Sequence, residues 1–303
     1  MKSGKDLISI CVATYKRPLL LEKLLKSLDK IVIPENLDAE IIVVDNDKDA
    51  SAKMIVDNFK LNSKFEVQYF IEPEKNISLA RNMSIKNSNG KYIAFIDDDE
   101  TASEEWLINL YQCLKKFNTD GVFGLVVPDF DEGIDKKFKR RELYFSPMSK
   151  TGSEARYLFA GSVLIKRDII SKSNISFDPA YGLSGGEDSN FFGKLKAQGA
   201  KFINCREAVS YEFIGKERTK RKFFFNRSLR GGQTYTRNII KLKPENKMFK
   251  VTLLLKSLIK IITGLLLFLP TLPFLYNNIK SVQLIGTGIG ELRGIIEKHK
   301  NIH

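Results

Sequence analysis

The first half of the chain alternates apolar runs with amphipathic stripes. Ile8–Ala13, Ile41–Val44, Phe65–Ile71 and Tyr92–Ile96 are short runs rich in apolar residues, and each reads as a buried strand. Leu21, Leu24, Leu25 and Leu28 repeat at i, i+3, i+4 and i+7 behind Pro18, which predicts a helix starting near that proline. A second helix is expected over Ser78–Asn87. Strands separated by helices predict a mostly parallel sheet with helices on both faces. Such sheets take ligands beyond the carboxyl ends of their strands, and three polar clusters fall there: Thr14–Arg17, Asp45–Asp47 and Asp97–Asp99.

The pattern then loosens. Residues 129–156 are polar, with acids giving way to Lys136-Lys137-Phe138-Lys139-Arg140-Arg141, and read as a surface excursion. Regular structure is expected again at Leu158–Ile165. A glycine-rich turn, Gly182-Leu183-Ser184-Gly185-Gly186, leads into Glu187-Asp188 and a helix through Gln198.

Further on, Val251, Leu254, Leu255, Leu258, Ile259 and Ile262 keep helical spacing with Lys250, Lys256 and Lys260 opposite. That predicts an amphipathic basic helix suited to anionic headgroups. Ile261–Ile279 carries no charge in 19 residues, enough for a helix to rise about 28 Å. Pro270 and Pro273 interrupt it, and Lys260 and Lys280 flank it, so an interfacial or re-entrant segment is expected rather than a single crossing. A buried bundle helix and a true span are the other readings. Gly286, Gly290 and Gly294 recur every four residues, as close helix packing or a flexible turn would allow. The same stretch imitates a dinucleotide loop, but Glu291 stands where the third glycine belongs.

Charge changes this picture. The 303 residues carry a net +13, yet residues 1–215 balance at −1 and residues 216–260 hold +12. A nearly neutral domain is thus followed by a basic strip, which implies an anionic surface beside it. The expected organisation is a catalytic domain over 1–215, a basic helical extension over 216–247 and a membrane-associating region over 248–303. The opening apolar run, Leu7–Ala13, is too short for a secretion signal and is read as the first strand. The two histidines are His299 and His303, which argues against a Ser-His-Asp triad or a histidine zinc site in the core. Cys11, Cys113 and Cys205 are scattered and odd in number, as buried free thiols in a reducing compartment would be.

Two constellations carry chemistry. Asp97-Asp98-Asp99 follows a buried strand, and adjacent carboxylates repel unless a cation or donors offset them. Their hard oxygens suit Mg²⁺ or Mn²⁺ shared with a diphosphate; a solvated acidic loop is the bland alternative. Gly185-Gly186-Glu187-Asp188 permits close backbone approach and sets carboxylates at a helix start, where the dipole favours them. One of them is then a general base for a hydroxyl nucleophile, or the segment is an ordinary acidic helix start. Thr14, Tyr15 and Arg17 either contact a nucleotide or cap the next helix, and Asp45 is placed to meet a base or ribose.

Together these segments resemble family 2 glycosyltransferases with the GT-A fold. The resemblance rests on Ser9–Pro18, Glu40–Asn46, Asn76–Asn82, Gly90–Glu100 and Gly185–Phe192, in that order, and covers about residues 7–240. It implies a nucleotide-sugar donor (most commonly a UDP-sugar), a divalent Mn²⁺ or Mg²⁺ ion, and inversion at the anomeric carbon. It assigns nucleotide binding to Thr14, Tyr15, Arg17, Asp45, Asp97 and Asp98, with Asp47 and Arg81 as weaker candidates. Asp99, with Asp97, would hold the metal. Asp188 would be the base, with Glu187 and Gly186 at the acceptor.

Two features depart from the family. Ser210-Tyr211-Glu212 stands where many members place a histidine near the metal, leaving Glu212 as an extra candidate. The QxxRW motif of processive members is absent; Arg227 and Arg230 occupy the comparable region and either bind phosphate or form a solvated face. The expected function is therefore non-processive transfer of a sugar to a glycan or lipid-linked saccharide in cell-surface polysaccharide synthesis. The expected location is the cytoplasmic face of an anionic membrane, held peripherally or monotopically, with no nucleic-acid partner. The alternatives are a sugar nucleotidyltransferase, or a non-catalytic membrane or nucleic-acid binder using the basic strip.

Overall fold

The structure is a computed structural model that describes residues 5–242 and 247–296; His299 and His303 lie outside them. Two compact units emerge. The first holds the described residues up to Asp129, Phe145–Leu183 and Glu187–Phe213; the second holds Phe130–Tyr144, Ser184–Gly186 and the described residues from Ile214 on. The regions drawn from sequence as 216–247 and 248–303 thus cluster together, and they draw in two earlier segments.

The first unit is built on a sheet. Its strands are β1 (Asp6–Thr14), β2 (Leu37–Asp45), β3 (Glu66–Ile71), β4 (Tyr92–Ile96), β5 (Glu100–Ala102), β6 (Gly121–Phe130), β7 (Ser162–Lys166) and β8 (Phe202–Ile214). They lie in the order β3-β2-β1-β4-β7-β6-β8-β5. From β3 to β4 every pairing is parallel, and from β4 through β7 to β6, and between β8 and β5, the pairings are antiparallel. The sheet is therefore mixed, and its parallel half is the half whose strands are continuous apolar runs. β1 is inaccessible at Ile8, Ile10 and Val12, as β2 is at Ile41–Val44.

Helices cover both faces. α1 (Pro18–Leu28) buries Leu21, Leu24, Leu25 and Leu28, the stripe read from sequence, and has proline in its first turn. α2 (Lys53–Lys60), α3 (Ile77–Asn87) and α4 (Trp106–Lys116) follow β2, β3 and β5. On one face Trp106, Leu107 and Leu110 join the α1 leucines; on the other, Phe95, Phe123, Phe177, Phe191, Phe192 and Phe202 make an aromatic core. The polar excursion resolves into the end of β6, one turn at Lys136–Phe138 and the short α5 (Arg141–Tyr144). α6 (Arg167–Ser173) and α7 (Glu187–Ala197) complete the first unit. All three cysteines are buried and free.

The second unit is mainly three long helices: α8 (Arg221–Leu242), α9 (Lys247–Phe268) and α10 (Leu275–Ile296). The glycines at 286, 290 and 294 lie inside α10, so close packing, not a turn, is their role.

Candidate active site

β1 and β4 are parallel neighbours, so their carboxyl ends bring residues 14 and 98 together across the chain. Thr14 closes β1 and is buried; its Oγ1 donates to Asp98 Oδ2 at 2.8 Å. Lys16 takes a left-handed φ of 54° just before Arg17 and the start of α1. Arg17 Nη1 donates to Asp98 Oδ1 at 3.1 Å and Asp99 Oδ2 at 3.2 Å. Burial raises the Asp98 carboxyl to about 6; its neighbours Asp99 and Asp97 add to the rise, and Arg17 and Thr14 oppose it. Three of the expected nucleotide residues are thus one cluster with an expected metal ligand.

Asp45 differs. It is fully enclosed, and its oxygens accept from the Ala52 N–H at 2.7 Å, the Asp47 N–H at 3.1 Å and the Tyr69 hydroxyl at 2.9 Å. Its carboxylate shapes the β2–α2 loop, and its acceptor capacity is largely spent there. Asp47 is buried within that loop, with Lys16 Nζ at 3.8 Å. Two neighbours were not singled out in the sequence. Asn46 Nδ2 donates to the Glu72 and Glu74 carbonyls while its Oδ1 accepts from the Asn76 N–H. Lys75 lies 4.6 Å from the Tyr15 ring centroid.

The second cluster is formed around Arg81. The residue sits on α3, is 6% exposed, and its guanidinium lies over the Phe177 ring at 5.6 Å. One arm donates to Asp97 Oδ1 at 2.9 Å and the other to Glu187 Oε1. Burial works against its charge, and Asp97 and Glu187 more than offset that. Arg81, a weaker nucleotide candidate from sequence, is here a clip between the strand-end acids and the helix-start acids. Glu187 Oε2 is buried and has no hydrogen-bond partner among the described residues.

α7 presents Glu187 and Asp188 in its first turn, where the helix dipole favours anions. It is seated by Phe191, Phe192 and Leu195, with Phe177 stacked on Phe191 at 4.0 Å. Asp188 is half-buried, and its Oδ1 accepts from the Ser189 N–H at 2.6 Å. Burial, then the Glu187 charge, raise its carboxyl to about 6, while Arg81 opposes the shift. An aspartate so tuned is deprotonated near neutral pH and more basic than an ordinary one.

Gly186 and its neighbour belong to the second unit. Gly185 and Gly186 have φ values of +82° and +89°, a backbone that side chains avoid. Thr234 Oγ1 donates to the Gly185 carbonyl at 3.1 Å. Arg227 and Arg230 also lie in that unit, on the exposed side of α8, with Arg227 near the Phe223 ring.

Among the described residues no three carboxylate, imidazole or thiol groups converge as a ready cation cage. Asp97 and Asp99 follow β4 and are held by different arginines, Arg81 and Arg17; their carboxylate oxygens are of the kind that suits a hard divalent ion completed by phosphate oxygens and water. Glu212 pairs in register with Glu100, a buried acid. Burial, with Asp97 and Glu212 nearby, holds the Glu100 carboxyl well above its usual range.

Comparison with known proteins decides what this arrangement belongs to. The sequence model described as glycosyl transferase family 2 matches residues 9–173, more than half of the chain. The chain belongs to family 2 of the glycosyltransferases. This glycosyltransferase is 32% identical over 230 residues to the succinoglycan biosynthesis protein ExoM of Rhizobium meliloti, covering 76% of this chain and 74% of the relative. Its fold resembles the mannosyltransferase PcManGT of Pyrobaculum calidifontis, solved with GDP-Man and Mn²⁺, at TM-score 0.67 and 17% identity over 96% of this chain and 88% of that one. It also resembles S. aureus TarS 1-349, solved with UDP-GlcNAc, at TM-score 0.55 and 16% identity over 94% and 91%. The glycosyltransferase fold is thus GT-A, as the sequence motifs led us to expect, although its sheet is mixed where a mostly parallel one was expected.

Proposed function

We propose that this glycosyltransferase inverts the anomeric centre as it moves one sugar from a nucleoside-diphosphate donor to a hydroxyl of a glycan or lipid-linked saccharide. The carrying observation is the Arg81 clip, which joins Asp97 after β4 to Glu187 on α7, 90 residues apart, in one ion-pair network. Donor-side and acceptor-side acids then share a single anchor. Polysaccharide assembly is the setting, as the name of the ExoM relative suggests.

In this mechanism Thr14, Arg17 and Asp98 form the nucleotide edge, with Tyr15 and Lys75 as a ring-and-cation pair beside it and Asp47 across the β1–β2 boundary. Asp45 holds the loop that borders the nucleotide. A hard divalent cation, Mn²⁺ or Mg²⁺, would be held by Asp99 with Asp97 and would offset charge gathering on the leaving diphosphate. Glu187, held by Arg81, orients the acceptor. Asp188 takes the proton of the attacking hydroxyl. The new bond from that oxygen to the anomeric carbon forms opposite the breaking bond to diphosphate, so no enzyme-bound sugar intermediate and no histidine are needed.

A UDP-sugar is the donor we favour first, and a screen of UDP- and GDP-sugars by thermal shift identifies it, since a selective ligand raises apparent stability by mass action. With that donor, Asp188→Asn is expected to keep donor affinity while transfer falls by about 10²-fold or more. Turnover at the wild-type rate in this variant removes Asp188 as the base.

A further inference from the structure

The helices of the second unit are layered, with α10 in the middle. Gly286, Gly290 and Gly294 of α10 lie so near the α8 main chain at Phe225, Leu229 and Gln233 that a Cβ would strike it. On its other side α10 meets α9, with Gly264 against Ser281 and Ile285, and Gly288 against Ser257 and Ile261. The seam of α9 that faces α10 holds Ser257 and Lys260. Ser257 Oγ, at 3.0 Å, and Lys260 Nζ both donate to Glu291, which is 3% exposed.

Most of what α9 leaves uncovered is apolar, with Thr252, Lys256 and Thr263 exposed beside it. Leu254, Leu255, Leu258, Ile259, Ile262 and Leu265 are all exposed, at 39–62%. The same surface continues round the turn between α9 and α10 through Leu269, Leu272 and Phe274, at 45–70%. The main chain of that turn is served from within: Thr271 Oγ1 donates to the Leu267 carbonyl at 2.6 Å, Asn278 Nδ2 to the Phe268 carbonyl at 3.0 Å, and the Phe274 N–H to the Thr271 carbonyl at 2.8 Å. Pro270 and Pro273 bring no N–H at all. Such a backbone tolerates a medium that offers no hydrogen bonds.

Cations border this surface at both ends. Behind the turn, Arg140 and Lys280 lie 4.5 and 5.5 Å from the Tyr276 ring, and Arg221 Nε donates to Asn278 Oδ1 at 2.6 Å. Lys250 stands in the first turn of α9 and the exposed Lys256 near its middle.

We infer that α9 and the 269–274 turn are a monotopic membrane seat. α9 lies in the plane of an anionic bilayer surface, its outer arc among the acyl chains of one leaflet, with Tyr276 and the flanking cations at headgroup level. Length and hydropathy alone would let Met248–Phe268 cross a bilayer. A crossing, however, would strip Ser257 and Lys260 from Glu291 or carry Asn278, Glu291 and Arg293 of α10 into hydrocarbon. Lipid fits the surface better than a second copy of this chain. A helix dimer covers one straight stripe, whereas here the uncovered apolar arc runs on from α9 round the turn, with Lys250 and Lys256 along α9 and Arg140, Arg221 and Lys280 behind the turn to match anionic headgroups.

The inference deepens the proposed function, because a lipid-linked acceptor lies at such a surface. Its test reads lipid binding and not transfer, so the two fail separately. The full chain is floated with vesicles of phosphatidylcholine alone and of phosphatidylcholine with phosphatidylglycerol. Binding is expected to favour the anionic vesicles, and Leu258→Glu with Leu266→Glu, both at exposed positions, to weaken partition about a hundredfold while circular dichroism stays unchanged. Fluorophores on Leu258→Cys, Leu265→Cys and Leu272→Cys are then quenched by lipid-borne quenchers at graded depths. One shallow depth for all three is the expected result. Labels at successively different depths, as a crossing gives, overturn the in-plane seat. Full-strength flotation of the double variant, or a wild-type dimer in solution that the same two changes turn into a monomer, overturns the lipid assignment.

Discussion

At the scale of single residues, Arg81 is the position where small changes have the largest effect. A lysine there reaches one carboxylate but lacks the planar fork that serves Asp97 and Glu187 together. Arg81→Lys is expected to keep the fold and lower kcat by roughly 10²-fold, with a smaller change in donor KM, because the acids shift by a fraction of an ångström. Arg81→Met leaves Glu187 buried with no counter-charge, and urea unfolding is expected to show a loss of about 3 kcal/mol or more. Asp188 gives a pH signature. Burial and Glu187 raise its carboxyl to about 6, the base form is lost as pH falls through that value, and kcat/KM is expected to fall with it. A profile flat from pH 5 to pH 8 speaks against Asp188 as the proton acceptor. Thr14, Asp98, Asp99, Glu187 and Asp188 stood out in the sequence as candidates, because each lies at or just past the end of an apolar strand or in the first turn of a helix. The clip did not, since Arg81 and Glu187 are 106 positions apart and nothing local marks a buried arginine as shared.

At the scale of elements, α7 delivers the proposed base, and its aromatic seat fixes where that base stands. Phe191→Ala removes a ring stacked on Phe177 and leaves a cavity under the first turn; the expected cost is about 3–5 kcal/mol, read from denaturant midpoints. The start of β1 offers a control far from the site. Burial pushes the Asp6 carboxyl up, but hydrogen bonds from Lys91 and Tyr111 and the charges of Lys91 and Lys115 prevail and hold it at about 2. Its folded value lies below the ordinary 3.8, so its contribution is present above about pH 4 and is lost as pH falls toward 2. Asp6→Asn is expected to destabilise by up to about 2 kcal/mol at pH 7 and by nothing measurable near pH 2, comparing unfolding midpoints at the two pH values. β1, β2 and β4 were readable because strands buried on both faces are continuous apolar runs. β8 was not: its burial is irregular along Phe202–Ile214 and includes the exposed Arg206, Glu207 and Tyr211. β5 has three residues, too few for any period to register. The antiparallel half of the sheet therefore left little trace in the pattern.

Across the whole molecule, charge and apolar surface are segregated by unit. Residues 1–215 are nearly neutral, and the +12 of residues 216–260 falls on the chain that forms the three-helix unit. Recruitment to anionic vesicles is expected to have two components. Raising salt from about 0.1 to 0.5 M shortens the screening length and weakens capture by the basic side chains, while the apolar hold of α9 persists. A residual bound fraction at high salt that disappears in the Leu258/Leu266 double glutamate variant is the expected flotation result. The sequence revealed the strip and the apolar helix but not which groups of α9 are hidden, because the partner of Lys260 lies 31 residues on, in another helix.

The shared guanidinium has a thermodynamic consequence. Under the proposed assignment, whatever draws Asp97 toward a donor complex leaves Arg81 to bear more fully on Glu187, so donor and acceptor affinities are expected to be coupled. Reciprocity requires the factor to be the same in both directions: if the nucleotide sugar sharpens acceptor affinity, the acceptor must sharpen nucleotide-sugar affinity equally. Such cooperativity would suppress wasteful hydrolysis of the activated sugar when no acceptor is present.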